Sequence, residues 1–328
     1  MAPALRIATY NLENLDDRPD LEPPLAARVG ALRPRLSRLD ADVLCLQEVN
    51  AQKPAKDRPR RLDALDALLA GTPYAGFARL CSVQRNGVGP MDKHNLVILS
   101  RFPVLESGQL WHDLVPPPLA RRVTADPPDA APATVEWDRP VLWAMLDLGG
   151  GRRLTVLDVH LRAPLAAHVP GQKAGPFVWR SVRGWAEGFY LAAMKRTGQA
   201  FEARLFVDRL FDDDPDALIA VCGDFNATER ETPLRALRGD PEDTGDPAHA
   251  ARALMPLEFD IPEYRRFTVL HGGRPVMLDH LLVSPALLRA YAGAEVLNEG
   301  LGDELIAFKR HLVTAESFHA PVVARFGL

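Results

Sequence analysis

The sequence predicts a layered α/β protein, and three observations carry that expectation. Short apolar or alternating blocks recur along the whole chain, and stretches with apolar residues at steps of three and four lie between several of them. No run reaches the roughly 18 uninterrupted apolar residues that a membrane span requires. With 328 residues, 47% of them apolar, there is material for a substantial core.

Taken in order, residues 5–10, 43–47, 95–99, 142–146, 154–160, 218–222, 278–283 and 322–326 read as strands. Residues 25–39, 62–69 and 182–211 carry the helical spacing. Single helices and loops between strands imply layers of both kinds. Residues 113–133, dense in proline (Pro116, Pro117, Pro118, Pro127, Pro128, Pro132), and residues 239–248, rich in Asp, Gly and Pro, read as loops. Strand-like blocks flank both. The expected organisation is therefore one domain over residues 1–328 with insertions at its rim near 113–133, 162–185 and 239–248.

A net charge of -4 argues against a broad basic surface that binds nucleic acid regardless of sequence. It leaves room for a local basic groove, and metal sites themselves concentrate carboxylates. The first apolar block begins at residue 5 without the basic start and small-residue cleavage site of a signal peptide. The three cysteines, Cys45, Cys81 and Cys222, are odd in number and unclustered. Together these point to a cytoplasmic protein with no membrane span, and no obligate protein partner is evident.

The block 218–222 runs straight into Gly223-Asp224-Phe225-Asn226, which sets a carboxylate and an amide on one side just past a strand end. That is where α/β folds hold ligands. A carboxylate there can hold a hard cation or take a proton from water, and an amide can donate to a phosphate oxygen. An Asp-x-Asn can equally be a turn that satisfies its own backbone. The balance shifts because suitable polar residues sit at other strand ends: Asn11, Glu48, His160, Asp279, His280 and His319. Singly, each reads as a cap, a core histidine or an ion-pair partner. Their joint occurrence is the signal.

The ordered set Thr9-Tyr10-Asn11, Leu46-Gln47-Glu48-Val49, Asn95 to Arg101, Asp158-Val159-His160-Leu161, Gly223-Asp224-Phe225-Asn226, Leu278-Asp279-His280 and Ser317-Phe318-His319-Ala320-Pro321-Val322 resembles the endonuclease/exonuclease/phosphatase (deoxyribonuclease I-like) family across nearly the whole chain. The resemblance implies a four-layer α/β/β/α sandwich with two mixed β-sheets packed face to face. It also implies phosphoester hydrolysis with magnesium, manganese serving as a substitute, on phosphate-ester substrates that include nucleic acid.

By the same resemblance, Glu48 is the principal magnesium ligand, with Asn11 beside it placing the ion or the phosphate. Asp224 orients or deprotonates the attacking water, and Asn226 holds a phosphate oxygen. His319 is the terminal active-site histidine with Asp279 as its carboxylate partner, and His160 protonates the leaving oxygen or binds the phosphate. His94, just before a strand, is either a neighbour of His160 or a surface residue. One departure stands out. The family's Ser-Asp-His is here Ser317-Phe318-His319, and a phenylalanine cannot ligate, so weaker magnesium binding or coordination completed by water is expected.

Downstream of His160, aromatic and basic residues interleave through Lys173, Phe177, Trp179, Arg180, Arg183, Trp185, Phe189 and Tyr190. Rings stack on bases and cations meet phosphates, so a substrate platform is one reading, with Arg180 reaching the substrate. A helix whose aromatics face the core is the other, and the helical spacing favours it. Three functions remain open: a phosphodiesterase or nuclease, a phosphomonoesterase acting on inositol phosphates or another small phosphorylated metabolite, and a binding protein on a decayed enzyme fold. The second requires a basic cluster, which Arg121-Arg122 and Arg152-Arg153 would have to supply.

Overall fold

The computed structural model describes residues 4–55 and 57–328. Twelve strands build two six-stranded sheets. They are β1 (Ala4–Leu15), β2 (Val43–Val49), β3 (Ala78–Cys81), β4 (Asn95–Ser100), β5 (Val104–Leu110), β6 (Val141–Gly149), β7 (Arg152–His160), β8 (Leu218–Asp224), β9 (Met255–Pro256), β10 (Asp279–Val283), β11 (Tyr291–Val296) and β12 (Val322–Gly327). The first sheet runs β11-β12-β1-β2-β4-β3 and the second β9-β10-β8-β7-β6-β5. Both are mixed: β1 is parallel to β2 and antiparallel to β12, while β8 is parallel to β7 and antiparallel to β10.

The two-residue period of a strand sorts the side chains. Leu5, Ile7, Val43, Cys45, Leu154, Val156, Ala220, Cys222, Leu281 and Val283 point inward from the two sheets and form the core between them. The intervening Ala8, Tyr10, Leu44 and Leu46 pack outward against helices α1 (Leu25–Leu39) and α2 (Asp63–Leu69). On the far side, Leu157, Val159, Ile219 and Val221 pack against helices α3 (Val182–Asp213) and α4 (Thr232–Arg238). The result is a four-layer α/β/β/α sandwich. Among the described residues no helix is long and apolar enough to cross a membrane.

The same alternation generates the polar end. Continuing the inward face of each strand by one or two steps gives Thr9 and Asn11 on β1, Gln47 on β2, Asp158 and His160 on β7, Asp224 on β8 and Asp279 on β10, all buried. The interior thus changes from apolar to polar at one end of the sandwich. Buried polar groups must be paired, and these pair across the gap between the sheets. Gln47 donates to the Asp158 carboxylate at 2.7 Å and to the Thr9 hydroxyl at 3.0 Å. Burial pushes the Asp158 carboxyl well up, against the pull of Gln47 and the Val97 amide.

The rim segments carry short elements of their own. Residues 113–133 include one strand of a two-residue pair, Leu119–Ala120 with Ala133–Thr134. Residues 162–185 contain a small hairpin, Lys173–Gly175 with Val178–Trp179, before the start of α3. Residues 239–248 include the single helical turn Pro241–Thr244.

Helix α3 is capped by the Ser181 hydroxyl, which accepts from the Gly184 amide at 3.0 Å. Its second half buries Ala200, Ala203, Val207 and Phe211 against sheet two. Its first half behaves differently. There Gly184, Gly188, Leu191 and Ala192 are the buried stripe, the last two packing with Ala125, Val135, Ala167 and Val169, while Trp185, Phe189 and Tyr190 are exposed to solvent.

Candidate active site

Six strand ends deliver the cluster. Asn11 comes from β1, Glu48 from β2, His160 from β7, Asp224 from β8, Asp279 from β10, and His319 from the loop just before β12. Ligand atoms of Glu48, His160 and Asp224 lie within 4.8 Å of one another, and so do those of Asp224, Asp279 and His319. Asp224 belongs to both groups and is the hub.

Local backbone choices aim these side chains. Gly223 lies tight against β7: a Cβ there would fall 1.9 Å from the Val159 carbonyl oxygen, and its φ is +140°. Only glycine lets β8 close on β7 at this point, and that approach sets Asp224 opposite His160 in the parallel register. Glu48 sits at a bulge between Leu46 and Val49 with φ +60°, which turns its carboxylate toward Asn11. Among the described residues eight non-glycine positions have positive φ, and five of them, Glu13, Asn14, Glu48, His94 and Asn226, surround this cluster. Such conformations cost on the order of 1–3 kcal/mol each and persist where the surroundings enforce them.

The hydrogen bonds knit the two sheets together. The Asn11 amide donates to Asp224 at 3.0 Å and to Glu48 at 3.2 Å, while its own oxygen accepts from the Glu13 amide at 2.8 Å. With its oxygen engaged by Glu13, Asn11 turns its NH2 toward the two carboxylates. Asn226 donates from its backbone to Asp224 at 2.8 Å and from its side chain to Asp224 and the Leu161 carbonyl, both at 3.0 Å. His319 donates from Nδ1 to Asp279 at 2.8 Å. His160 Nε2 lies 3.5 Å from Asp224 and 3.7 Å from Glu48.

Electrostatics follow from this geometry. Burial, reinforced by Asp279 and opposed by His319, lifts the Asp224 carboxyl to about 7. Burial alone would discharge His319, but Asp279, Asp224 and Glu48 outweigh it and hold the imidazolium well above the ordinary histidine range. His160 goes the other way: burial, then Arg139, His94 and His319, keep it neutral. The arrangement therefore contains a carboxylate able to accept a proton near neutral pH, a fixed positive imidazolium and a neutral imidazole. Within this cluster two buried atoms, His160 Nδ1 and Asp279 Oδ1, have no hydrogen-bond partner among the described residues.

Two contributors, Arg139 and Glu13, were not apparent in the sequence. Arg139 donates to the His160 carbonyl at 3.3 Å and to His94 Nδ1 at 2.9 Å, while His94 Nε2 meets Asn14 at 2.9 Å. His94 is thus a neighbour of His160, with ring centroids 6.0 Å apart. Glu13 accepts from the Phe318 amide at 2.6 Å, and burial lifts its carboxyl to about 7. Its position two residues beyond Asn11 was the available clue. His280 is a buried partner of Glu258 and bonds the Ala227 carbonyl at 2.8 Å, which anchors the loop that carries Asn226.

Arg180 is not brought to the cluster. It is exposed on the hairpin before α3, and its Nε donates to the Lys173 carbonyl at 3.1 Å. The basic pairs do not converge either. Arg152 and Arg153 start the strand that His160 ends, on the order of 25 Å away along β7, and Arg122 is held by Asp129.

Comparison with known proteins agrees with this architecture. The profile described as Endonuclease/Exonuclease/phosphatase family matches residues 8–301, a span that stops short of Ser317-Phe318-His319. No curated protein matches the sequence. Among solved structures, humanized D. rerio TDP2 carrying 14 mutations is similar at 14% identity over 99% of both chains with a TM-score of 0.57. Truncated Caenorhabditis elegans TDP2 is similar at 14% identity over 99% of this chain and 98% of that one, TM-score 0.58. An endonuclease/exonuclease/phosphatase family protein from Bacteroides thetaiotaomicron is similar at 16% identity over 99% and 95%, also with a TM-score of 0.58.

Proposed function

The chain belongs to the endonuclease/exonuclease/phosphatase family, and from that premise we propose that it is a divalent-metal-dependent phosphodiesterase of nuclease type, in which water attacks phosphorus. The observation that carries this reading is the meeting, in one cluster, of Asp224, its carboxyl lifted to about 7, with the charged His319–Asp279 pair and the Glu48 carboxylate. Those groups supply what phosphoryl transfer needs: a proton acceptor for water, positive charge for the phosphoryl oxygens and an oxygen-rich cation site.

The donor set suits magnesium, with manganese as a substitute. Glu48 and Asp224 offer carboxylate oxygens with a single amide NH2 between them, and hard divalent cations take such ligands. When bound, the cation polarises a phosphoryl oxygen and offsets charge on the leaving group. Glu48 holds it, and Asn11 orients Glu48 and Asp224 through its NH2. Phe318 contributes no ligand, so the affinity is weak for this family.

Asp224 accepts the proton of the attacking water, with Asn226 and Asn11 fixing both of its oxygens. Asn226 turns its NH2 to a phosphate oxygen when substrate displaces its bond to the Leu161 carbonyl. His319, held charged by Asp279, stabilises the charge that develops on the phosphoryl group. His160, kept neutral, binds the phosphate by donating from Nε2 and is a poor acid for the leaving oxygen. The cysteines are free thiols, Cys45 and Cys222 buried, which supports a cytoplasmic setting for one working unit over residues 1–328.

A panel of substrates tests the proposal. Plasmid DNA, bis-p-nitrophenyl phosphate, p-nitrophenyl phosphate and inositol phosphates are incubated with magnesium or manganese, with and without a chelator. Turnover of the diesters that stops on chelation is expected. Preferential turnover of the monoesters would replace this reading with the phosphomonoesterase one, and no turnover of any would overturn both.

A further inference from the structure

The sheet ladder is interrupted on both sides of Glu48. Strand β1 slips against β2 between Asn11 and Leu15, and β2 bulges against β4 between Leu46 and Val49. Glu48 itself has φ +60° and Asn14 has φ +54°. Non-glycine residues keep such conformations only where their surroundings enforce them. The Glu48 carboxylate is therefore aimed by its hydrogen bonds: the Asn11 NH2 donates to Oε1 at 3.2 Å, and the Asn14 backbone amide donates to Oε2 at 3.0 Å.

Asn14 is held in turn by His94, just before β4. His94 Nε2 lies 2.9 Å from Asn14 Oδ1, and the His94 backbone amide donates to Oδ1 of Asn50, two residues beyond Glu48, also at 2.9 Å. One residue thus grips both segments that flank the ligand. The other ring nitrogen, Nδ1, faces the Arg139 guanidinium at 2.9 Å, and Arg139 is anchored on the second sheet by the His160 and Leu161 carbonyls at 3.3 and 3.4 Å. A guanidinium only donates, so Nδ1 must accept, and the ring proton must sit on Nε2, where it is donated to Asn14. Burial and then Arg139 hold this imidazole below the ordinary histidine range, so it is neutral at neutral pH. With both nitrogens engaged inside the protein, the ring has none left for substrate.

We propose that His94 is a positioning residue for cation binding: Arg139 fixes its Nε2–H tautomer, the ring fixes Asn14, and the Asn14 amide fixes the Glu48 carboxylate. The relay ties a ligand on the first sheet to the backbone of the second. It rests on the reading of Glu48 as the residue that holds the divalent cation. Because the imidazole is neutral, removing it changes no charge near the cation, and a loss of affinity then reports orientation.

The test is calorimetric titration of manganese into the metal-free full chain, without substrate, for wild type, His94→Ala, His94→Gln, Asn14→Gly and the double variant His94→Ala/Asn14→Gly. Urea unfolding of each variant checks that it is folded. A group bonded directly to a metal ligand is typically worth about 10–100-fold in affinity, and His94 acts one bond further out, so His94→Ala should weaken manganese binding by about three- to tenfold. Glutamine can accept from Arg139 through its amide oxygen and donate to Asn14 through its NH2, and should restore affinity to within about twofold of wild type. Asn14→Gly permits the left-handed backbone but lacks the accepting oxygen, and should match His94→Ala. The double variant should be no more than about twofold weaker than either single one, because both changes break the same link. In wild type labelled with nitrogen-15 at histidine, the His94 signals, identified by their loss in His94→Gln, should be those of the Nε2-protonated tautomer at neutral pH. The relay would be overturned by His94→Ala binding within about twofold of wild type, by glutamine as weak as alanine, or by a ring protonated on Nδ1. Absence of manganese binding by wild type would refute the cation site and the relay with it, whereas binding by wild type with unchanged variants refutes the relay alone.

Discussion

Replacing Asp224 by asparagine should change the stability of the metal-free protein in a way that depends on pH. Asp224 is buried and its carboxyl is lifted from an ordinary value of 3.8 to about 7, by burial first and by Asp279 second. The folded protein therefore keeps a proton that the unfolded chain releases. Stability from this group is fully present below about pH 4 and is lost as pH rises to about 7. At roughly 1.4 kcal/mol per pH unit, the whole interval amounts to about 4 kcal/mol, of which the part between pH 5 and pH 8 is at most about 3 kcal/mol.

An asparagine stays neutral throughout and escapes this loss. It incurs a different one, because Asn11 and Asn226 each donate an NH2 to Asp224 Oδ2 at 3.0 Å, and a third NH2 facing them leaves donors unpaired. That cost is on the order of 1–3 kcal/mol and does not vary with pH. His94 and His160, both depressed by burial, titrate in the opposite sense but do so in both proteins, so they cancel from the comparison. The assay is urea unfolding in a chelator, followed by tryptophan fluorescence, at pH 5, 6, 7 and 8. Relative to wild type, Asp224→Asn should gain up to about 3 kcal/mol across that range. A gap between the two proteins that stays constant within about 0.5 kcal/mol would refute the reasoning.

Further outcomes follow from the same geometry. His319→Gln should lower kcat by about 10²–10⁴-fold, Asp279→Asn by less, and the double variant by little more than His319→Gln alone, because the two act as one unit; steady-state kinetics on bis-p-nitrophenyl phosphate reads this. Gly223→Ala would bring a Cβ to 1.9 Å from the Val159 carbonyl oxygen and should cost more than about 4 kcal/mol in urea unfolding, or abolish soluble expression. Phe318→Asp adds a carboxylate beside Glu13 and should tighten magnesium binding by about tenfold in calorimetry. Unchanged affinity there would mean that position 318 does not face the cation.

The central layers of the fold were legible because their strands are buried on both faces or alternate cleanly. Residues 43–47, 154–160, 218–222 and 278–283 read as strands and are β2, β7, β8 and β10, and α1 has the expected bounds. The strands not anticipated, β3, β5, β9 and β11, are the four sheet edges. Edge strands bury little: in β5 the residues from Leu105 to Ser107 are exposed, and β11 is only partly buried before Val296. A chain that packs nothing carries no hydrophobic period for a reader to detect.

The catalytic candidates were legible for a related reason: Asn11, His160, Asp224 and Asp279 lie where an inward apolar alternation turns polar, and Glu48, Asn226 and His319 stand next to a strand's polar end. Arg139 offered no such sign, since it precedes β6 and acts through backbone carbonyls and His94. Arg180 misled because interleaved charge and aromaticity say nothing about direction. Arg180 is exposed just past its hairpin, and Trp185, Phe189 and Tyr190 lie on the side of α3 opposite its buried residues.

The most direct test of the central claim is nicking of supercoiled plasmid by wild type and Asp224→Ala, side by side, in magnesium and after chelation. Wild type should nick only with the cation, and Asp224→Ala should be slower by at least about a hundredfold. Nicking that survives both the chelator and the substitution would contradict that claim.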